Sequence, residues 1–313
     1  MGNLCAVFSA FGLAHFVFIA IVAVMAGTLI FLLRKFDTEK RKTISVVLLT
    51  VAGLFVLLEC VGKGVAGSSV GDCLPLAPSH IFLYLCIYQL VRGKENWIKF
   101  GYFISLPVMV LTTIFAPSYL AVGEAFGLAS VSYFLTNACL IVYVVLTLMW
   151  SDVYLDKKDI LNSSLNFGII IAGVHIFNVF SRFVAISPVS NYWGTMGENY
   201  DLIVGAFSSL IPIPFVNMLP IVAIIVGIEF LMLLPFDMIK KKRDNVAQME
   251  EIVALGNLKL QQERRKEGRK PSSQILVRSE NKAMPKEQKN ITQKSKTGFV
   301  SVDKEVKVHK DKQ

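Results

Sequence analysis

Seven apolar segments occupy most of the first 239 residues of this chain. Each is long enough, or nearly long enough, to form a helix across the hydrocarbon core of a bilayer, which takes about 20 mostly apolar residues. The segments cover residues 11–33, 43–62, 74–91, 100–117, 129–150, 165–186 and 215–236. Because 54% of the residues are hydrophobic, the chain is too apolar for an ordinary soluble domain. We therefore predict an all-α, polytopic membrane helix bundle with seven transmembrane helices.

Basic side chains are concentrated on one side of the predicted bundle. They follow the first, third, fifth and seventh segments, as Arg34, Lys35, Lys40, Arg41, Lys42, Arg92, Lys94, Lys99, Lys157, Lys158, Lys240, Lys241, Lys242 and Arg243. On the other side only Lys63 appears. Cytoplasmic loops carry the excess of Lys and Arg, so the N-terminus is predicted outside and the C-terminus in the cytoplasm. We expect a multi-pass protein of the plasma membrane whose first segment is retained, because no basic region precedes it.

The basic character of the chain belongs to its C-terminal part. Residues 1–239 contain 12 basic and 13 acidic side chains, whereas residues 240–313 contain 20 and 10. We predict a membrane domain (1–239), a juxtamembrane basic amphipathic helix (240–265) and a basic, disordered cytoplasmic tail (266–313). The tail is suited to anionic lipid head groups or to a cytoplasmic protein partner. It contains no module that indicates nucleic-acid binding.

The sixth segment carries a stripe of three polar residues on one helix face. His175, Asn178 and Arg182 are spaced at i, i+3 and i+7, which places them on the same side of a helix. An arginine at the centre of a membrane helix costs about 2.5–3.5 kcal/mol on insertion scales. Such residues face a partner or a water-filled cavity, so the stripe is a candidate functional surface.

Other segments also place polar residues in their outer halves. These residues are His15, Glu59, Ser79, His80 and Asn137. Together with the stripe they predict a polar cavity reached from the outer leaflet. Two structural interpretations stay open: an ion pair between Glu59 and Arg182, and helix packing through His15 and Asn137.

The predicted cavity contains the residue types that acyl transfer needs. Ser79 and His80 would act at the acyl group, and His175 would be the base, because neighbouring residues on a helix point about 100° apart. We predict substrate binding by Glu59, Asn137, Asn178, Arg182 and His15. The cysteines form no metal-binding pattern, and no cofactor or metal is expected.

Short motifs along residues 11–239 resemble the YwaF and transmembrane protein 164 family of integral membrane proteins. They are Phe11-Gly12-x-x-His15, Leu58-Glu59, Leu74-Pro75-Leu76, Pro117, Leu165-Asn166, Asn191-Tyr192 and Leu234-Pro235-Phe236. The vertebrate branch implies a phospholipid-remodelling acyltransferase with a cysteine shortly after Leu-Pro-Leu and a histidine in the fifth segment. Here those positions hold Ser79 and Asn137, so whether the chain is an enzyme stays open.

Two functions follow from this pattern. The first is binding or remodelling of membrane phospholipid in the outer cavity. The alternative is a non-enzymatic protein, either a proton-coupled transporter or a receptor-like seven-helix protein, because intramembrane His, Glu and Arg residues also suit proton movement.

Overall fold

The computed structural model describes residues 8–266 apart from 69, 70, 72, 123, 152, 185–190 and 198–200. The regular structure of the described residues is helical throughout. The α-helices are α1 (Leu13–Leu33), α2 (Thr38–Val65), α3 (Pro78–Arg92), α4 (Glu95–Phe100), α5 (Leu106–Ile114), α6 (Leu128–Trp150), α7 (Lys157–Phe183), α8 (Leu202–Leu210) and α9 (Leu219–Lys266). A π-helical turn (Gly101–Ser105) joins α4 to α5, and short 3₁₀ turns cover Ser118–Val122, Tyr192–Gly194 and Val216–Met218.

Six helical stretches in the described part of the chain are long and apolar enough to cross a membrane. They are Leu13–Leu33, Thr38–Val65, Glu95–Ile114, Leu128–Trp150, Lys157–Phe183 and Val216–Phe236. Helix α3 has 15 residues, which gives a length of about 22 Å at 1.5 Å per residue. That is shorter than the hydrocarbon core of about 30 Å. The multi-pass helix bundle is therefore confirmed, and the count of seven stays a prediction.

Local sequence signals set the ends of two helices that carry candidate site residues. Helix α3 starts with Pro78 at its first position and ends at Arg92, and the Gly93 that caps it has a left-handed backbone with φ 62°. Helix α7 starts with a capping box. The Asp156 carboxylate accepts from the backbone N–H of Asp159, and the Asp159 carboxylate accepts from the backbone N–H of Asp156. This cap begins α7 at Lys157, earlier than the predicted start at residue 165.

Helix α6 is the central helix of the bundle. Within an apolar stretch of 18 residues, 67% of the residues of α6 are buried, whereas the corresponding share in α1 is 17%. Helix α2 runs antiparallel to it, since Gly62 lies against Ala129 and Arg41 bonds to Trp150. We call the end with Gly62 the upper end and the end with Arg41 the lower end.

Successive helices alternate in direction between these two ends. Helix α3 begins at the upper end beside α2 and reaches the lower half of α6, where the Tyr143 hydroxyl donates to Cys86 O over 3.2 Å. The stretch from α4 to α5 returns upward. Helix α7 starts at the lower end, where Asp159 contacts Lys99, and α9 descends past Tyr102, whose hydroxyl donates to Met232 O.

The chain divides into two units after Lys241. Helix α9 contains Pro235 and continues to Lys266, so the stretch predicted as a juxtamembrane helix (240–265) is helical. The predicted tail (266–313) lies outside the described residues from 267 onward.

Candidate functional site

A fully buried carboxylate lies at the upper end of the bundle, on α2. One oxygen of Glu59 lies 2.8 Å from Lys63 Nζ and accepts a hydrogen bond from the Tyr119 hydroxyl over 3.1 Å. The other oxygen lies 3.0 Å from His80 Nε2. Glu59 and His80 are 0% exposed and Lys63 is 5% exposed. We call these four residues the Glu59 cluster.

Three separate pieces of chain assemble the Glu59 cluster. Glu59 and Lys63 are spaced at i, i+4 on α2, so they lie on one helix face. His80 comes from the first turn of α3, and Tyr119 from the 3₁₀ turn that follows Pro117. The Lys63 ammonium also lies 3.9 Å from the centre of the Tyr119 ring, a cation–π contact that partly replaces the lost water.

The Glu59 carboxylate fixes the orientation of His80. An ionised carboxylate only accepts hydrogen bonds, so His80 Nε2 donates to Glu59, and whenever the ring is neutral its single proton lies on Nε2. His80 Nδ1 is then an unprotonated nitrogen, and it is buried without a hydrogen-bond partner among the described residues. The hydroxyl of Ser79 is also buried and has no partner there. A histidine oriented by a carboxylate with its second nitrogen unoccupied is the arrangement of a general base.

His15 and Asn137 belong to a second polar cluster, between α1, α5 and α6. His15 Nδ1 accepts from the Phe11 backbone N–H, and Nε2 donates to Thr113 O, each over 2.9 Å. The Asn137 amide donates to the Thr113 hydroxyl over 3.1 Å. Both nitrogens of His15 are thus bonded to backbone, so the packing interpretation fits its geometry better than substrate binding does.

The polar stripe of α7 forms a third cluster with the loop that follows it. His175 Nδ1 lies 3.2 Å from the Thr195 hydroxyl, and the Asn178 amide bonds to Tyr192 and Thr195. Arg182 lies in the last turn of α7 and is half-buried. His175 is therefore not bonded to Ser79, although the sequence suggested that pairing.

The residues predicted to share one cavity are thus divided among three clusters. A small concavity lies elsewhere, in the lower half, where α3, α4, the π turn and α6 meet. It is lined mainly by apolar residues, and its polar lining residues include Gln89, Ser105, Tyr143 and Thr147. At the upper end, the described polar residues of the Glu59 cluster are buried and bonded to one another.

Two members of the Glu59 cluster, Lys63 and Tyr119, were not predicted as site residues from the sequence. Lys63 was treated only as a loop charge, although its i, i+4 spacing from Glu59 was a usable signal. Tyr119 follows Pro117 in an irregular stretch, and nothing in its spacing indicates a contact with α2.

The family model of the TMEM164 family, the transmembrane protein 164 proteins, matches residues 10–236 of this chain. The chain belongs to the TMEM164 family. No curated protein and no solved structure matches the chain significantly. The match confirms the resemblance drawn from the short motifs and identifies a multi-pass membrane protein. The matched residues of this TMEM164-family protein include the whole Glu59 cluster, Ser79 and Asn137.

Proposed function

We propose that this TMEM164-family protein binds and remodels membrane phospholipid at the Glu59 cluster, with His80 as the general base of an acyl transfer. The observation that carries the proposal is the buried Nδ1 of His80, which, like the hydroxyl of the neighbouring Ser79, has no hydrogen-bond partner among the residues that the structure describes. In this reaction Nδ1 takes the proton from the hydroxyl of a lysophospholipid. That oxygen attacks the ester carbonyl of a donor phospholipid, and the proton passes to the departing alkoxide.

The geometry changes the roles given to the other residues. His175 is engaged with Thr195, so the base is assigned to His80. Lys63 places a positive charge 2.8 Å from Glu59, and a carboxylate at Glu59 stabilises the imidazolium that forms when His80 takes a proton. Asn137 has no side-chain base to offer, and we assign it to helix packing through Thr113.

The experiment is an acyl-transfer assay on the purified full-length protein in lipid nanodiscs. A donor phospholipid with a deuterated acyl chain is incubated with a lysophospholipid, and the labelled product is measured by mass spectrometry. We expect His80→Gln to lower turnover by about 10²–10⁴-fold, the usual contribution of a general base. Tyr88→Phe, a change at the lower end of α3 where Tyr88 is 39% exposed, is the matched control and should retain turnover. Equal turnover in His80→Gln and the wild type would refute the assignment.

Ser79 distinguishes two routes of transfer. If Ser79 forms a covalent acyl intermediate, Ser79→Ala abolishes turnover and the wild-type protein gains the mass of one deuterated acyl chain. If the lysophospholipid attacks directly, Ser79→Ala keeps most of the turnover. The absence of a hydrogen bond between Ser79 and His80 favours direct attack.

A proton-coupled transporter is the second candidate, and Glu229 is the observation that favours it. Glu229 is 0% exposed in the lower half, where one oxygen accepts from the Ser164 hydroxyl and the other has no partner among the described residues. Buried carboxyls therefore lie toward both ends, as alternating access requires. Uptake of a solute into proteoliposomes that depends on a pH gradient and is lost in Glu229→Gln would support this function.

We propose seven crossings, with the N-terminus outside, in the plasma membrane. The alternating helix directions support seven crossings, because α3 runs from the upper end into the lower half. The loops at the lower end contain the basic residues, including Arg34, Arg92 and Lys157. A glycosylation acceptor inserted near Gly67 should be modified in cells if the upper end is outside, and an unmodified insertion would contradict this topology.

A further inference from the structure

The loop after α7 holds an unusual backbone conformation. We call residues 191–197 the cap loop. Trp193 has φ 63°, followed by Gly194 with φ 71°. A bulky residue in the left-handed region is strained and persists only where its surroundings hold it. The cap loop must therefore be fixed by contacts with the rest of the bundle.

Asn178 fixes the cap loop from α7. Its amide nitrogen donates to Tyr192 O over 2.9 Å, and its amide oxygen accepts from Tyr192 N over 3.0 Å. Asn178 is 0% exposed, so these bonds form away from water. A paired amide of this kind satisfies both backbone groups of Tyr192 at once and sets the direction of the following residue.

The side chains of Tyr192 and Trp193 then hold the segment that leads into α3. The Tyr192 hydroxyl donates to Gly71 O and Leu74 O, and Trp193 Nε1 donates to Leu76 O over 2.9 Å. The Trp193 ring is 4% exposed and packs 5.8 Å from the Phe82 ring, one turn beyond Ser79. Three backbone carbonyls immediately before α3 are thus bonded to two side chains of the cap loop.

We propose that Asn178, Tyr192 and Trp193 are positioning residues that keep His80 in register with Glu59. Leu76 comes directly before Ala77, the residue whose carbonyl accepts from the backbone N–H of His80 over 3.0 Å, so the bond from Trp193 to Leu76 O holds the backbone where α3 begins. A helix turns by about 100° per residue, so a slip of one residue would swing the His80 ring away from the Glu59 carboxylate. The catalytic consequence rests on the proposed acyl transfer, but the positioning itself does not.

The test uses Trp193→Phe and Tyr192→Phe, which remove single donors and keep aromatic rings. Trp150→Phe is the matched control, because Trp150 Nε1 also donates to a backbone carbonyl, Arg34 O, over 3.3 Å at the lower end. The measurement is the ¹⁵N spectrum of histidine rings in the full-length protein in lipid, with the His80 signal assigned by its loss in His80→Gln. In the wild type, the proton of His80 should reside on Nε2.

We expect both cap-loop variants to lower the preference for the Nε2-protonated form of His80 by about three- to tenfold, the effect of one lost hydrogen bond. The control should leave the spectrum unchanged. An unchanged His80 signal in both cap-loop variants would overturn the inference. An equal change in all three variants would also overturn it, because it would reflect a general loss of stability.

A kinetic arm separates this inference from the proposed function. If the wild type transfers acyl chains, Trp193→Phe should lower kcat and leave KM nearly unchanged, because substrate binding does not use the indole. If the wild type shows no transfer, the proposed function fails, and the ring spectrum alone decides the positioning role.

Discussion

The ion pair between Glu59 and Lys63 gives the sharpest stability prediction. Glu59 is 0% and Lys63 5% exposed, and 2.8 Å separates their charged atoms. Removing one partner of a buried ion pair leaves the other charge unpaired, which costs about 3–5 kcal/mol. We therefore expect Glu59→Gln to lower the free energy of unfolding by that amount, and Lys63→Met to do the same.

The chain offers a matched control for this perturbation. Glu95 and Lys99 have the same i, i+4 spacing and a similar distance, 3.0 Å, but the Glu95 side chain is 56% exposed. Exposed pairs of this kind contribute about 0.2–0.5 kcal/mol. Glu95→Gln should therefore change stability little, and the difference between the two glutamine variants measures the effect of burial.

The assay is reversible unfolding in mixed micelles with increasing dodecyl sulfate, followed by circular dichroism. The double variant Glu59→Gln with Lys63→Met leaves neither charge unpaired. The free energy of unfolding that it loses should therefore be about 2–3 kcal/mol smaller than the sum of the losses in the two single variants. Additive losses, or a loss in Glu59→Gln no larger than in Glu95→Gln, would refute the reasoning.

Two further predictions concern stability. Gly62→Ala should destabilise the bundle by about 1–3 kcal/mol, because the new Cβ would lie 2.6 Å from the backbone nitrogen of Ala129. Gly27→Ala is the control and should not destabilise it, because no atom lies within 4 Å of a Cβ at Gly27. Equal unfolding midpoints in the two variants would contradict this prediction. Burial raises the pKa of Asp201, against the opposing effect of backbone N–H groups. The native carboxyl then binds its proton more tightly than the unfolded one, so stability should fall as pH rises through the native pKa. Asp201→Asn should flatten this dependence in melting curves recorded at pH values above 3.8, the ordinary pKa of an Asp carboxyl, and an unaltered slope would exclude Asp201 as its source.

The apolar segments predicted most of the helical architecture because membrane spans are set by length and hydropathy. Helix α6 was predicted within one residue of its observed start at Leu128. The start of α7 was missed because its capping box lies in a polar stretch, where hydropathy carries no signal. The π turn at Gly101–Ser105 leaves no mark in the composition either.

The candidate site was less predictable than the helices. Depth in the membrane follows from position along a span, so the sequence predicted His15, Glu59, His80 and Arg182 in the same half. The lateral arrangement of the helices does not follow from depth, and it separates these residues into three clusters. Positions within one helix can be predicted from spacing, as for the i, i+4 pair of Glu59 and Lys63.

That pair also has a consequence for how the chain is made. Both charges lie on α2, one helical turn apart, so their contact can form as soon as this helix has been synthesised. The helix can then enter the lipid with its carboxylate and ammonium already neutralising each other, which lowers the cost of two separate charges. His80 and Tyr119 emerge later and find a carboxylate already in place. The order of residues along the chain is thus also a workable order of assembly for the buried site.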